Sequence, residues 1–345
     1  MLTQIVIKIA TLASLSFIFA LLFTPVLTKF LYKYKLGKQI RDDGTTPLFY
    51  QMHKEKAGTP TMGGILVWGT MLAAVFGLWL LGSVLHIKFF ENLNFYSRKE
   101  TLLPLGAFIG ASLVGLADDW LDIRQLGHKG RGIRFRFKIF LYAAVAAIGA
   151  WWFYFKLDFS LVHIPFVGNV DFGWWYIPFF ILAVVSTSFA VNETDGLDGL
   201  AGGTLLLAFF AFGTIAFSQG KYDLVAFLSV VCGGLMAFLW FNVYPARFIM
   251  GDTGSMGLGV LLAVVAFLTN SIFLMAIIGF VFMAETVCLL LQLFWKKFLH
   301  KKLFLSAPIH HHFQALGWPE TKVTMRFWII GAVSGIIGVI IYFIG

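Results

Sequence analysis

The chain has 345 residues, 59% of them hydrophobic and 12% charged, with a formal net charge of +9 and a mean hydropathy of +0.85. A water-soluble domain of this size cannot bury so much apolar surface, so lipid is the solvent for most of the chain. The positive charge sits in short loops between apolar runs, which fits anionic headgroups and phosphate-bearing substrates and speaks against a nucleic-acid surface. Cys232 and Cys288 lie inside apolar segments, so no disulfide framework is implied.

In chain order, the first apolar run is too long for a signal-peptide core and lacks a small-residue cleavage site before its basic flank, so it is expected to stay as a helix. About twenty apolar residues cross a bilayer as a helix. Ten runs qualify, at 9–32, 60–82, 102–118, 137–156, 174–191, 200–218, 224–242, 256–270, 272–295 and 327–344. The eighth is separated from the ninth only by Thr-Asn-Ser at 269–271. Backbone groups in hydrocarbon must pair internally, which requires helices. The expected fold is an all-α membrane protein, one polytopic domain over 1–345 with ten transmembrane helices. If both termini lie outside, twenty of the 26 Lys and Arg residues fall on the inner side, as the positive-inside rule demands. The small-residue pairs Gly106/Gly110 and Gly331/Gly335 suit close helix packing within the monomer, with a homodimer seam as the alternative.

Four of the five inner loops carry polar clusters at helix ends: ADDW (117–120), NETDGLDGLAGG (192–203), NVYPARFIMGDTGS (242–255) and APIHHHF (307–313). Carboxylates at a bilayer boundary are costly unless they pair, bind metal or line a wet cavity. Asp118 and Asp119 are adjacent and repel, which suits a general base or a shared cation. A solvated helix end countered by Arg124 and its basic loop is the plainer reading. Asp195 and Asp198 are three apart among glycines that permit close approach to a ligand, or that simply build a turn. Asp252 opens a helix as either a hard oxygen ligand for magnesium or an N-cap. His310, His311 and His312 point about 100° apart on a helix and cannot grip one metal together. Lys56 and the small residues of KAGTPTMGG (56–64) suit an anion at a helix start. Glu285, deep in the ninth run, faces no identifiable charge and is expected to pack through a hydrogen bond.

Taken together, GTPTMGG (58–64), the acidic clusters, APIHHHF and GWPETKV (317–323) resemble the bacterial phospho-N-acetylmuramoyl-pentapeptide transferases, within the polyprenyl-phosphate N-acetylhexosamine-1-phosphate transferase superfamily. The resemblance spans nearly the whole chain and includes ten spans with both ends outside. It implies transfer of phospho-N-acetylmuramoyl-pentapeptide from UDP to undecaprenyl phosphate, with Mg2+ as cofactor, giving lipid I and UMP at the cytoplasmic face. It also implies that Asp252 ligates magnesium, that Asp118 and Asp119 flank the lipid phosphate with Asp118 as the favoured base, and that His310 assists near the phosphates. Lys56, Thr61, Asn192, Asp195, Asp198 and Asn242 would line the nucleotide and diphosphate cleft, with Ile249 and His311 also at substrate-binding positions.

The sequence departs from the family pattern in three places. Ile249 stands where a Phe usually stacks on uracil, and Phe248 beside it is a substitute. Asp122 and Leu126 replace two usual lysines, leaving Arg124, Lys129, Arg134, Arg136 and Lys138 to supply positive charge. Gln314 replaces a common Glu. A transferase for UDP-N-acetylglucosamine shares the acidic motifs but not the histidines. An ion-coupled transporter would place its charges near the midplane rather than at one boundary.

Overall fold

A computed structural model describes residues 2–37, 56, 58–96, 100–127 and 132–345. Helices dominate, as chain segments rich in Leu, Ile, Phe and Ala must when no water is present to satisfy the backbone. They are α1 (Leu2–Lys33), α2 (Ile65–Leu78), the short α3 (Lys88–Leu93), α4 (Leu102–Ile123) and α5 (Phe135–Trp151). After a two-stranded hairpin come α6 (Tyr176–Thr194), α7 (Leu200–Ser218), α8 (Tyr222–Asn242), α9 (Asp252–Leu268), α10 (Met275–Ile278), α11 (Phe280–Phe294), α12 (Ile309–Ala315) and α13 (Glu320–Ile344).

Among the described residues, eight helices are long and apolar enough to cross a membrane, or nine when one bent pair is counted as a span. The chain is thus an all-helical, multi-pass membrane protein apart from the hairpin. Large apolar side chains on the outer helices point away from the protein, including Leu22, Ile148, Leu182 and Ile336. An apolar surface this extensive belongs in lipid.

The eighth and ninth apolar runs take forms that their sequence does not announce. The eighth becomes α9, only 17 residues long and therefore about 25 Å at the rise of an α-helix. Every residue from Thr253 to Leu268 is buried. A helix sheathed by protein need not match its length to the hydrocarbon. The ninth run is broken into Ile272–Ile278 and Phe280–Leu299, bent by 83° at Gly279. Glycine, with its low helix propensity, is a usual site for such a break.

Helix α9 packs chiefly on α4 and α6, while α8 packs on α1, α2 and α7. One close approach sets its position. A Cβ on Gly64 would overlap the Gly254 backbone, so α2 and α9 meet main chain to main chain. The Gly331/Gly335 pair of α13 lies on α7, against Leu207 and Ala211, so this pair serves packing within the chain. Gly106 has open space beside it.

Among the described residues, the strands form a single antiparallel hairpin, β1 (Leu161–Ile164) and β2 (Gly168–Asp171), with Val162 opposite Val170. Its tip residues Phe166 and Val167 are exposed, as are Trp174 and Trp175 just after it.

The Gly64–Gly254 approach generates a test. Gly64→Ala should destabilise the folded protein by about 1–3 kcal/mol, the usual cost of overpacking. This is measured as a lower Tm in detergent, with Gly106→Ala as the neutral control.

Candidate active site

Asp118 and Asp119 lie in the last turns of α4, and the helix sends their carboxylates in different directions. Asp119 Oδ1 accepts the backbone N–H of Asp252 at 3.1 Å, and Oδ2 accepts that of Thr253 at 3.0 Å. The N-cap of α9 is Gly251, which has no side chain to cap with. Asp119 therefore caps α9 from a different helix, satisfying two of the N–H groups that a helix start leaves orphaned. Gly251 has φ +73°, and a Cβ there would come within 2.6 Å of both Asp119 Oδ2 and Thr61 Oγ1. Only glycine fits.

Asp118 turns to the other side. Its Oδ1 accepts the Ile133 N–H at 2.6 Å, and its Oδ2 forms an ion pair with the Lys138 ammonium. The same ammonium reaches Asp252 Oδ2 at 2.5 Å. Asn192 Nδ2 donates to Asp252 Oδ1 and to Ser255 Oγ, both at 2.8 Å. Helices α4, α5, α6 and α9 thus converge on one charged cluster.

A second cluster adjoins it through the 192–199 segment. Gly251 N–H donates to Asp195 Oδ2 at 3.1 Å. Asp198 pairs with Lys56 at 2.7 Å, accepts the Ala246 N–H at 3.0 Å, and donates its own N–H to Glu320 Oε1 at 2.6 Å. Lys56 also pairs with Glu320. Asn242 is buried and committed at both ends: its Oδ1 accepts from Gly199 N–H at 2.9 Å and its Nδ2 donates to Phe248 O at 2.8 Å. It ties two loops together rather than lining open space.

The three histidines go three ways, as their spacing requires. His310 is fully buried with Nδ1 3.0 Å from Glu285 Oε2. His311 Nδ1 is 2.9 Å from Gln314 Oε1, and His312 Nδ1 accepts the Leu305 N–H at 3.3 Å. Burial, and then the neighbouring Lys56 ammonium, hold the His310 imidazole down to a pKa of about 3.

Several expectations need correction. Glu285 does face a titratable group, His310, brought to it by the turn that starts α12. Phe248 is fully buried against Phe238 and Phe241, so it does not stand in for a ring at position 249. Ile249 itself is half-buried, with its backbone paired to Pro60 and Gly63. Arg124 does not counter the aspartates, because its guanidinium lies over the Trp120 ring at 4.7 Å. Lys129 lies outside the described residues. Lys138, grouped in the sequence with the loop charges, joins the cluster instead; a lysine just inside an apolar run is itself a signal. Glu320, inside GWPETKV, joins the site without any signal in its sequence context beyond a charge at a helix start.

Among the described residues, no group of three or more His, Cys, Asp or Glu side chains is placed to hold a metal ion. The Lys138 ammonium nevertheless marks a position where Asp118 and Asp252, from two helices, surround one cation. That donor set fits magnesium, which is commonly held by one or two carboxylates together with substrate phosphates.

The fold and cluster describe a polytopic membrane protein with a charged site at one end of its bundle. Residues 101–270 match the model of Glycosyl transferase family 4. Residues 56–66, which contain Lys56 and Thr61, match Phospho-N-acetylmuramoyl-pentapeptide-transferase signature 1. A phospho-N-acetylmuramoyl-pentapeptide-transferase of Chloroflexus aurantiacus is 39% identical, over 98% of this chain and 90% of its own. Proteins of the same name from Listeria monocytogenes and Anoxybacillus flavithermus are 37% and 34% identical, over 94% and 95% of this chain and 95% and 96% of theirs. The chain belongs to the phospho-N-acetylmuramoyl-pentapeptide-transferase family.

Two tests follow from the geometry. Asp119→Ala should cost about 1–2 kcal/mol of stability through the lost cap, with Asp119→Asn costing less because one acceptor oxygen remains; thermal unfolding in detergent reads both. His310 is held below the ordinary histidine value of about 6.5. The unfolded chain therefore binds more protons between these pKa values, and stability should fall as pH drops below about 6.5. His310→Asn should flatten that acid limb in Tm-against-pH measurements.

Proposed function

We propose that the chain transfers phospho-N-acetylmuramoyl-pentapeptide from its UDP-linked precursor to undecaprenyl phosphate, giving lipid I and UMP for peptidoglycan synthesis. The observation that carries this reading is the joining of Asp118, Asp119, Asp252, Asn192 and Lys138 into one cluster beside Lys56, in a family whose members bear that activity in their names. In the net reaction, the bond from the sugar-bearing phosphorus to the bridging oxygen of UMP breaks. A bond from that phosphorus to an oxygen of the lipid phosphate forms.

Catalysis of phosphoryl transfer is mostly positioning and charge stabilisation. Lys138 and Lys56 supply fixed positive charge for phosphate oxygens. Asp118, exchanging its ion pair with Lys138 as substrate enters, is the base that keeps the lipid phosphate fully ionised. Asp119 acts from behind by fixing the start of α9 and hence Asp252. Magnesium, held by Asp252 with Asp118 beside it, would neutralise the diphosphate and favour departure of UMP. Asp195 and Asp198 shape the nucleotide side, with His310 and His311 near the phosphates.

The topology that suits this chemistry has ten spans, α9 and the bent pair included, with both termini outside the bacterial cytoplasmic membrane. The loop charges support it, because they put the site on the cytoplasmic face where a UDP-sugar is found. The second reading, transfer from UDP-N-acetylglucosamine, shares the acidic cluster and is disfavoured by the match at 56–66.

Purified protein should release UMP only when nucleotide substrate, polyprenyl phosphate and magnesium are all present, and chelation should stop it. Asp252→Ala should abolish turnover while the protein still elutes as a folded species. Turnover with UDP-N-acetylglucosamine but not with the muramoyl-pentapeptide nucleotide would sink the first reading.

A further inference from the structure

Glu285 has no part in the chemistry above, yet it is a carboxylic side chain buried to 0% exposure in α11, the longer arm of the bent pair. Buried polar atoms are normally paired. Here one oxygen, Oε2, lies 3.0 Å from His310 Nδ1 and accepts the His310 backbone N–H at 3.4 Å. The ring approach has charge-pair distance but is off line for a hydrogen bond, and the other oxygen, Oε1, has no partner. The imidazole is equally enclosed, and its Nε2 also lacks a partner. That nitrogen faces Gly196, where any Cβ would overlap it. Gly196 lies between Asp195 and Asp198, beside the Lys56 ion pair. The ring therefore faces Glu285 along one edge and the Gly196 main chain along the other.

We propose that Glu285 is a positioning residue for His310, holding its Nδ1 edge so that Nε2 is presented to the phosphate-binding cleft beside Gly196 and Lys56. This deepens the transferase reading and rests on it for the identity of the cleft. A carboxylate facing Nδ1 favours the tautomer with its proton there. The neutral ring then carries a lone pair at Nε2, and protonation turns the same atom into a donor to a phosphoryl oxygen, with the carboxylate balancing its charge. Apo-state contacts of this kind are often misaligned and tighten when substrate arrives. Gly196 is the complement on the other side: its missing side chain lets the 195–198 segment close directly on Nε2, and substrate must part that contact to reach the nitrogen.

The test uses Glu285→Leu, which removes the carboxylate without leaving a new buried polar atom, and Glu285→Gln, which keeps an acceptor oxygen. Glu285→Leu should lower kcat at least about tenfold, with KM for the UDP-sugar within about twofold of the parent; Glu285→Gln should recover part of that loss. In a His310→Asn background, Glu285→Leu should add nothing. Equal fractional losses in both backgrounds, or parental kcat in Glu285→Leu, would overturn the proposal. A second measurement needs no turnover: 15N-histidine spectra of the protein in nanodiscs, with His310 assigned through His310→Asn. They should show the Nδ1–H tautomer in the parent and its loss in Glu285→Leu. An unchanged tautomer refutes the positioning role, whereas a parent that turns over no UDP-sugar while the tautomer responds refutes only the transferase reading.

Discussion

One ammonium group shared by two carboxylates organises this end of the molecule. Lys138 reaches Asp118 on α4 and Asp252 on α9, and neither aspartate is tolerable at a lipid boundary without such a partner. The arrangement has to be assembled from separate helices, because no local stretch of sequence carries both signs at the needed spacing. Asp119 completes it by a different route, with both carboxylate oxygens accepting the first-turn N–H groups that α9 cannot pair internally. One adjacent pair of aspartates thus performs two tasks: Asp118 holds a cation, and Asp119 fixes the helix that presents Asp252.

The central position of α9 makes that fixing effective. The walls of its N-terminal half are backbone and small side chains, with Gly64 against Gly254, Ser112 against Gly257 and Asp119 over its first turn. A helix so enclosed cannot rotate or slide without breaking several contacts at once, so Asp252 is held by packing as much as by hydrogen bonds. The peripheral helices α1 and α13 present Leu, Ile and Phe to lipid along their outer faces, although α13 begins with Glu320, which pairs with Lys56.

Much of this was legible in the sequence for a physical reason. Hydrocarbon imposes a length on apolar runs and a cost on charges, so helix positions and the misplaced carboxylates of the acidic motifs stand out against an otherwise apolar chain. What stayed hidden depends on contacts between distant segments. Lys138 looks like loop charge until α5 is folded against α4. Glu285 looks solitary because His310 is brought to it only by the bend at Gly279 and the turn into α12. Phe248 looks available as a stacking ring until Phe238 and Phe241 close around it. The eighth run at 256–270 is visible in the sequence, but its meaning is not, since only the fold shows α9 sheathed by protein over its whole length.

The exposed hairpin tip and the tryptophans after it lie at the end of the bundle opposite the charged cluster. Phe166, Val167, Trp174 and Trp175 are the kinds of side chain that settle where acyl chains give way to headgroups. Side chains of that kind at an interface work as a float, resisting movement of the protein into or out of the bilayer. Depth fixed at one end of the bundle fixes the height of the charged cluster at the other, because the helices between them are continuous.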